Sequence, residues 1–305
     1  MVIAWILFCF SISGIFAGYF GQWNWVIDLF SHFRVQQSFL LILTALFFFW
    51  RKSYVGIIAS FVVIMVCLAA FLPYSRFIPR TKHNEQTLSV MLSNVYTSNR
   101  QHRRLIDLVK KVDPDILVFE EVNERWSEVL TAELGHRYPF VRVIPREDNF
   151  GIALFSKIDF KTLEVRYLGE AHVPSFKGVF NLNDQEVVLW ATHPLPPVGA
   201  GYWRMRNEHL KNLGKEISKD LRPTIVVGDL NTTPWCYWFN EVKMNRLRDS
   251  AIGYGILNSW PTMWPAFFRI PVDHVLVSPE IHIIERKVLE NINSDHLPVL
   301  VKIGL

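Results

Sequence analysis

Charged side chains are missing from long stretches at the start of the chain: residues 1–27, 35–50 and 53–75 carry none. A membrane-spanning helix needs about 20 predominantly apolar residues, and the first and third stretches supply them. The second is shorter but dense over residues 39–50. Trp23, Trp25, Trp50 and Tyr74 stand near the segment ends, where interfacial aromatics belong. The pattern predicts three transmembrane helices within residues 1–75, with two as the alternative. No basic side chain precedes the first apolar core, which disfavours a cleaved signal peptide. A transport role has no support, because no Asp, Glu, Lys, Arg or His lies inside a predicted span.

The pattern then changes. Residues 76–87 are polar and basic with Pro79, and read as a linker to a domain over 88–305. Short apolar, β-branched runs predict buried strands at 88–92, 116–119, 151–156, 187–191, 224–227, 272–277 and 299–303. A helical period predicts a helix over 103–112, stopped by Pro114, and another over 203–219 with Leu210, Leu213 and Ile217 on one face. Residues 244–249 carry no clear pattern. Strands interleaved with helices point to a layered α/β domain.

Charge divides at the same boundary. Residues 1–82 hold six Lys/Arg against Asp28, a net of +5; the whole chain is +4, which leaves −1 for residues 83–305. The domain therefore lacks the overall positive charge of a non-specific nucleic-acid binder, though a local basic groove stays open. With three spans, Arg34, Arg76, Arg80 and Lys82 share a side with the domain, opposite Arg51 and Lys52. The positive-inside bias then places the domain in the cytoplasm. Cys9 and Cys67 lie in the spans and Cys236 is alone in the domain, so no intradomain disulfide forms, in keeping with that compartment.

The candidate chemistry gathers at strand ends. Asn94 follows the first strand, where a turn cap is the plainer role. Glu120 and Glu121 close the second; they either point to solvent or concentrate negative charge that a divalent cation would offset. Thr192-His193-Pro194 follows a third. Asp229 and Asn231 follow strand 224–227, and alternation puts both side chains on one side of an extended chain. Asp273 begins a further strand, and Asp295-His296 precedes the last. Any one of these suits a turn, but function gathers at strand ends in layered α/β folds, and together they point to a site.

These residues are familiar as a set. S-N-V (93–95), D-I-L-V-F-E-E-V (115–122), G-I-A-L-F-S-K (151–157), T-H-P (192–194), G-D-L-N-T-T-P-W (228–235), V-D-H-V-L-V-S (272–278) and S-D-H-L-P-V (294–299) resemble the endonuclease/exonuclease/phosphatase superfamily, the DNase I-like fold, over about residues 85–303. With its N-terminal spans, the chain looks like a bacterial membrane-bound branch. The resemblance implies an α/β fold, a four-layered sandwich of two packed β-sheets flanked by helices, here preceded by transmembrane helices. It implies hydrolysis of a phosphate ester with Mg²⁺, Mn²⁺ being the alternative.

Carried over by position, Asn94 and Glu121 resemble the metal-binding pair, with Asp295 beside the metal. Asp229 and Asn231 resemble the pair that orients the attacking water and contacts the phosphate. His296 resembles the catalytic histidine, Asp273 its carboxylate partner, and His193 a second phosphate contact. Two positions depart from the pattern: Glu120 stands where many members have Gln, and T-H-P where T-H-L is more common.

The expected protein is a membrane-anchored phosphodiesterase or phosphomonoesterase of a bacterial inner membrane. It contacts the bilayer through residues 1–75, and no protein partner is predicted. Its substrate is nucleic acid, or a phospholipid or inositol phosphate. Trp235, Tyr237, Trp238, Trp260, Trp264, Phe267 and Phe268 would stack on bases, meet a bilayer interface or fill the core. A catalytically silent scaffold of the same fold is the competing class.

Overall fold

The computed structural model describes residues 1–75, 87–244 and 246–305. The predicted linker falls outside these residues, except Thr87, which opens the first strand. The N-terminal region is helical: α1 (Val2–Ala17), α2 (Trp25–Ser31), α3 (Arg34–Trp50) and α4 (Tyr54–Phe71). The first apolar stretch supplies one candidate span and then breaks. α1 passes into a 3₁₀ turn at Gly18–Phe20, and a new helix starts at Trp25, where the Asn24 side chain accepts from the Val26 N–H at 2.9 Å. α2 and α3 meet at a 68° bend. Two helices, Val2–Phe20 and Tyr54–Tyr74, are long and apolar enough to cross a membrane, and a third counts only if the bent pair is one span. Trp5, Phe8 and Phe48 bind α1 to α3, and Gly56 lets α4 approach, since a Cβ there would meet the Phe48 ring at 2.5 Å.

The remaining chain forms two six-stranded mixed sheets. Its strands are β1 (Thr87–Asn94), β2 (Ile116–Glu120), β3 (Phe140–Ile144), β4 (Ile152–Ser156), β5 (Phe160–Tyr167), β6 (Pro174–Leu182), β7 (Gln185–Thr192), β8 (Thr224–Asp229), β9 (Arg248–Asp249), β10 (Asp273–Val277), β11 (His282–Val288) and β12 (Val299–Gly304). One sheet runs β11-β12-β1-β2-β4-β3 and the other β5-β6-β7-β8-β10-β9. Each contains one parallel pair, β1–β2 and β7–β8.

Period-two alternation builds the layers. Val90, Leu92, Val118 and Leu154 of the first sheet pack against Phe176, Leu189, Val227 and Val275 of the second. The outer face of the first sheet (Met91, Leu117, Phe119, Phe155) is covered by α5 (His102–Val112) and α6 (Glu124–Leu134). The outer face of the second (Val188, Trp190, Val226, Leu276) is covered by α7 (Gly199–Ser218) and α8 (Tyr237–Lys243). The result is the expected four-layered sandwich.

Strands β3, β5 and β11, which carry no continuous apolar run, lie at sheet edges. Nearly all their side chains are partly or fully exposed, so the run that marks a buried strand is missing.

Extending the same alternation by one residue places the chemistry. Asn94 continues Val90 and Leu92; Glu120 continues Val118; His193 continues Leu189 and Ala191; Asp229 continues Val227; Asp273 precedes Val275. All five therefore project between the sheets at one end of the sandwich. β10 runs antiparallel to β8, which makes Asp273 the register partner of Asp229.

Close backbone approach at this end requires Gly228, where a Cβ would stand 1.9 Å from the Thr192 carbonyl oxygen. Gly228→Ala should cost about 3 kcal/mol, the upper end for overpacking, read as a lowered Tm of the full chain in detergent.

Candidate active site

His296 is the centre of the arrangement. Its Nδ1 lies 2.9 Å from Asp273 Oδ2 and its Nε2 3.6 Å from Asp229 Oδ2. Burial alone would push this imidazole down, but the Asp273 and Asp229 carboxylates outweigh it and raise its pKa to about 10. At neutral pH it is an imidazolium. His193 is its opposite: burial, then repulsion from His296, lowers its pKa to about 3, so it is neutral. Its Nε2 is also 3.6 Å from Asp229 Oδ2. One carboxylate oxygen thus faces two imidazoles across gaps that a water would bridge.

Asn231 closes this side. It adopts a left-handed φ of 49°, its N–H donates to Asp229 Oδ1 at 2.9 Å, and its amide donates to the Pro194 carbonyl at 2.9 Å.

Across from this group lie Asn94, Glu121 and Asp295. Asn94 Nδ2 donates to Glu121 Oε1 at 3.0 Å, while Asn94 Oδ1 accepts from the Tyr96 N–H and Glu121 Oε2 from the Thr97 N–H, each at 3.1 Å. Glu121 itself has a φ of 60°, which turns it out of the β2 alternation that Glu120 follows. Ser294 Oγ donates to the Asn94 carbonyl at 2.8 Å, bringing the Ser294-Asp295-His296 loop against the end of β1. Burial first, offset in part by the Asn94 and Thr97 donors, raises the Glu121 pKa, and Asp295 adds to the rise. Two carboxylates and an amide oxygen on one rim suit a hard divalent cation, which would offset this charge. Asp229, Asp273 and His296 also present ligand atoms within 4.8 Å of one another. That trio is already occupied by its own ion pairing, so the Asn94–Glu121 side is the better fit.

Glu120, singled out in the sequence without a role in the site, sits inside it, and His209 and Arg206 escaped the sequence reading. Glu120 lies wholly buried between the sheets, where both of its oxygens accept from the Asp229 N–H, at 3.2 and 3.0 Å. Burial, then the Asp229 carboxylate, raises its pKa well above the usual carboxylate range. A protonated Glu120 has one hydroxyl and one carbonyl oxygen, close to the Gln expected there. His209 Nε2 lies 2.6 Å from Thr192 Oγ1, which lies 2.7 Å from Ser175 Oγ; this chain supports the residue before His193.

Arg206, fully buried on α7, forms an ion pair with Asp28 of α2 and donates to the Asn231 carbonyl at 2.9 Å. Cys236 Sγ donates to Asp28 Oδ1 at 2.9 Å. Arg206 was legible in principle, being four residues before Leu210 on the helix's apolar stripe.

Comparison with known proteins agrees with this architecture. The profile of the Endonuclease/Exonuclease/phosphatase family matches residues 91–296, and the chain belongs to that family. It is a metal-dependent phosphoric ester hydrolase. Among curated proteins no sequence matches. Among solved structures, the endonuclease/exonuclease/phosphatase from Bacteroides vulgatus superposes with a TM-score of 0.60 at 17% identity, covering 72% of this chain and 100% of that one. D. rerio TDP2, complexed with a single-strand DNA product, gives 0.60 at 15% identity, covering 72% and 100%. TDP2 from Caenorhabditis elegans gives 0.59 at 17% identity, covering 72% and 75%. At these identities the likeness is one of fold.

Two outcomes follow from the buried charges. Glu120 has a folded-state pKa above its unfolded value, so its contribution to stability is full below about pH 4.3 and declines as pH rises towards the folded value. With metal chelated, Glu120→Gln should gain on the parent between pH 5 and 8, by up to about 1.4 kcal/mol per pH unit, read by thermal unfolding at each pH. Asp28→Ala leaves a buried guanidinium uncompensated and should cost about 3–5 kcal/mol. The same melts measure it.

Proposed function

We propose that the protein is a membrane-anchored, Mg²⁺-dependent phosphoesterase, with residues 1–75 as anchor, 76–87 as linker and 88–305 as catalytic domain. Asn94, Glu121 and Asp295 hold the metal, with Mn²⁺ as the alternative ion. The metal supplies charge neutralisation at the phosphoryl oxygens. Asp229 and Asn231 orient the attacking water and contact the phosphate. Asp273 fixes the His296 tautomer and sustains its positive charge, so that His296 donates to a phosphoryl oxygen as negative charge builds there. Neutral His193 is a second donor.

One observation carries the reading: the His296 imidazolium held between Asp273 and Asp229 at one end of the sandwich. A non-catalytic scaffold would have no use for three buried ionisable groups held this close, since desolvated charge is costly.

The charge count, with Arg34, Arg76, Arg80 and Lys82 on the domain's side, supports a bacterial inner-membrane protein with a cytoplasmic catalytic domain. It agrees with where α2 and the end of α4 meet the domain: Asp28 pairs with Arg206, Phe71 packs edge-on against Trp235 at 5.6 Å, and the Pro73 carbonyl accepts from the Gly253 N–H at 2.9 Å. The other open reading, cleavage of single-stranded DNA, draws on the DNA product bound by D. rerio TDP2.

The full chain in detergent, offered bis(p-nitrophenyl) phosphate, should turn over with Mg²⁺ and stop with a chelator. Asp229→Asn and His296→Ala should each lower kcat by about 10²–10⁴, the range for a positioned acid or base. Parental turnover in both variants would overturn the site assignment, and no metal-dependent turnover in the parent would leave the scaffold reading in its place.

A further inference from the structure

We infer that the cavity beside Asn231 receives the hydrocarbon tail of a membrane-borne phosphate ester. This rests on the phosphoesterase reading and specifies its substrate class. The cavity measures about 190 Å³ and is walled by two parts of the chain. Leu29 and Phe33 come from the α2–α3 bend, Val198 from the residue before α7, and Trp260 and Ile270 from the segment between β9 and β10. Asn231, the proposed phosphate contact, lines the same cavity. Trp260 joins it to the catalytic group, since its ring centroid lies 6.3 Å from that of His296 and its Nε1 donates to Asp295 Oδ2 at 3.3 Å.

Three features select a hydrocarbon chain over a nucleotide. Among the described residues, no Lys, Arg, Asp or Glu lines the cavity, whereas single-stranded nucleic acid is tracked by a positively charged groove. Arg269 and Arg34, the cations adjacent in sequence to lining residues, direct their guanidinium groups elsewhere: Arg269 to the carbonyls of Trp264 and Thr262, each at 3.0 Å, and Arg34 to the Ile15 carbonyl at 3.3 Å. Finally, the rim is continuous with the N-terminal helices. Residues 263–268 read M-W-P-A-F-F and are exposed throughout, with Met263 70% accessible. Phe267 packs edge-on against Phe39 of α3 at 5.1 Å, and Gln36 donates to the Phe267 carbonyl at 2.7 Å.

An exposed apolar run docked on a predicted membrane helix belongs at a lipid interface. A lipid tail leaving that interface enters the cavity with its phosphate at Asn231. At about 30 Å³ for a group the size of a water, the space takes roughly six methylenes, each favouring the bound state by a factor of about four.

The test compares two diesters with the same leaving group, p-nitrophenyl methyl phosphate and p-nitrophenyl dodecyl phosphate, using the full chain in nanodiscs with Mg²⁺. The parent should prefer the dodecyl ester in kcat/KM by at least about tenfold. Leu29→Trp, which fills the cavity, and Val198→Glu, an exposed change at its wall that the fold tolerates, should each bring the ratio towards one. A ratio near one in the parent, or one unmoved by both variants, overturns the inference while the phosphoesterase reading stands. So does cleavage of a single-stranded oligodeoxynucleotide in preference to the dodecyl ester.

A second readout is independent of turnover. Phosphatidic acid carrying a diazirine on its acyl chain, incorporated in the nanodiscs and irradiated, should label peptides containing Phe33 or Ile270, and less so in Leu29→Trp. That labelling without hydrolysis of either ester would sink the phosphoesterase reading and keep the cavity's occupant; labelling confined to α1 and α4 would overturn the cavity assignment.

Discussion

Everything at the active end of this protein depends on burying Asp229 where the two sheets meet. Its N–H is held by Glu120 from the opposite sheet, its Oδ1 accepts from the Asn231 N–H, and its Oδ2 faces both His193 and His296. So much charge in a small, water-poor volume is tolerable only if protonation states sort themselves. Desolvation and carboxylate repulsion raise the Glu120 pKa, two carboxylates hold His296 charged, and desolvation with repulsion from His296 holds His193 neutral. The same electrostatics that cost folding energy set a charged imidazole, a neutral imidazole and a carboxyl group side by side. Gly228 and Gly151 let the strands come close enough for this, because a Cβ at either would meet a backbone oxygen below 2 Å.

The N-terminal helices take part in this arrangement. Asp28, the one acid before residue 83, leaves the apolar segment to pair with Arg206, and Arg206 in turn holds the carbonyl of Asn231. A break in the helices, an ion pair and a backbone hydrogen bond thus link the proposed anchor to Asn231, the proposed phosphate contact. Such a buried pair adds little net stability over an apolar contact. It does set the orientation of the Asn231 loop relative to the bend at Ser31–Arg34.

Much of this was readable from residue order alone. Short β-branched runs with period-two alternation specify buried strands whatever their neighbours, so β1, β2, β4, β7, β8, β10 and β12 were legible, as were Asn94, His193, Asp229, Asp273 and His296 at their ends. The edge strands were not, because a half-exposed strand carries no apolar run. The first span was legible from its length and apolarity, while the turn at Gly18–Gly21 and the Asn24 cap decide where it ends.

Glu120 and Arg206 mark the boundary between the two kinds of information. Sequence determined that an acid follows the apolar strand 116–119 and that an arginine lies on the apolar stripe of a helix. Only tertiary structure decided their partners, Asp229 across the sheets and Asp28 from 178 residues away. The reason is physical: periodicity is a property of neighbouring residues, whereas the pKa and partner of a buried charge depend on which distant groups share its low-dielectric surroundings.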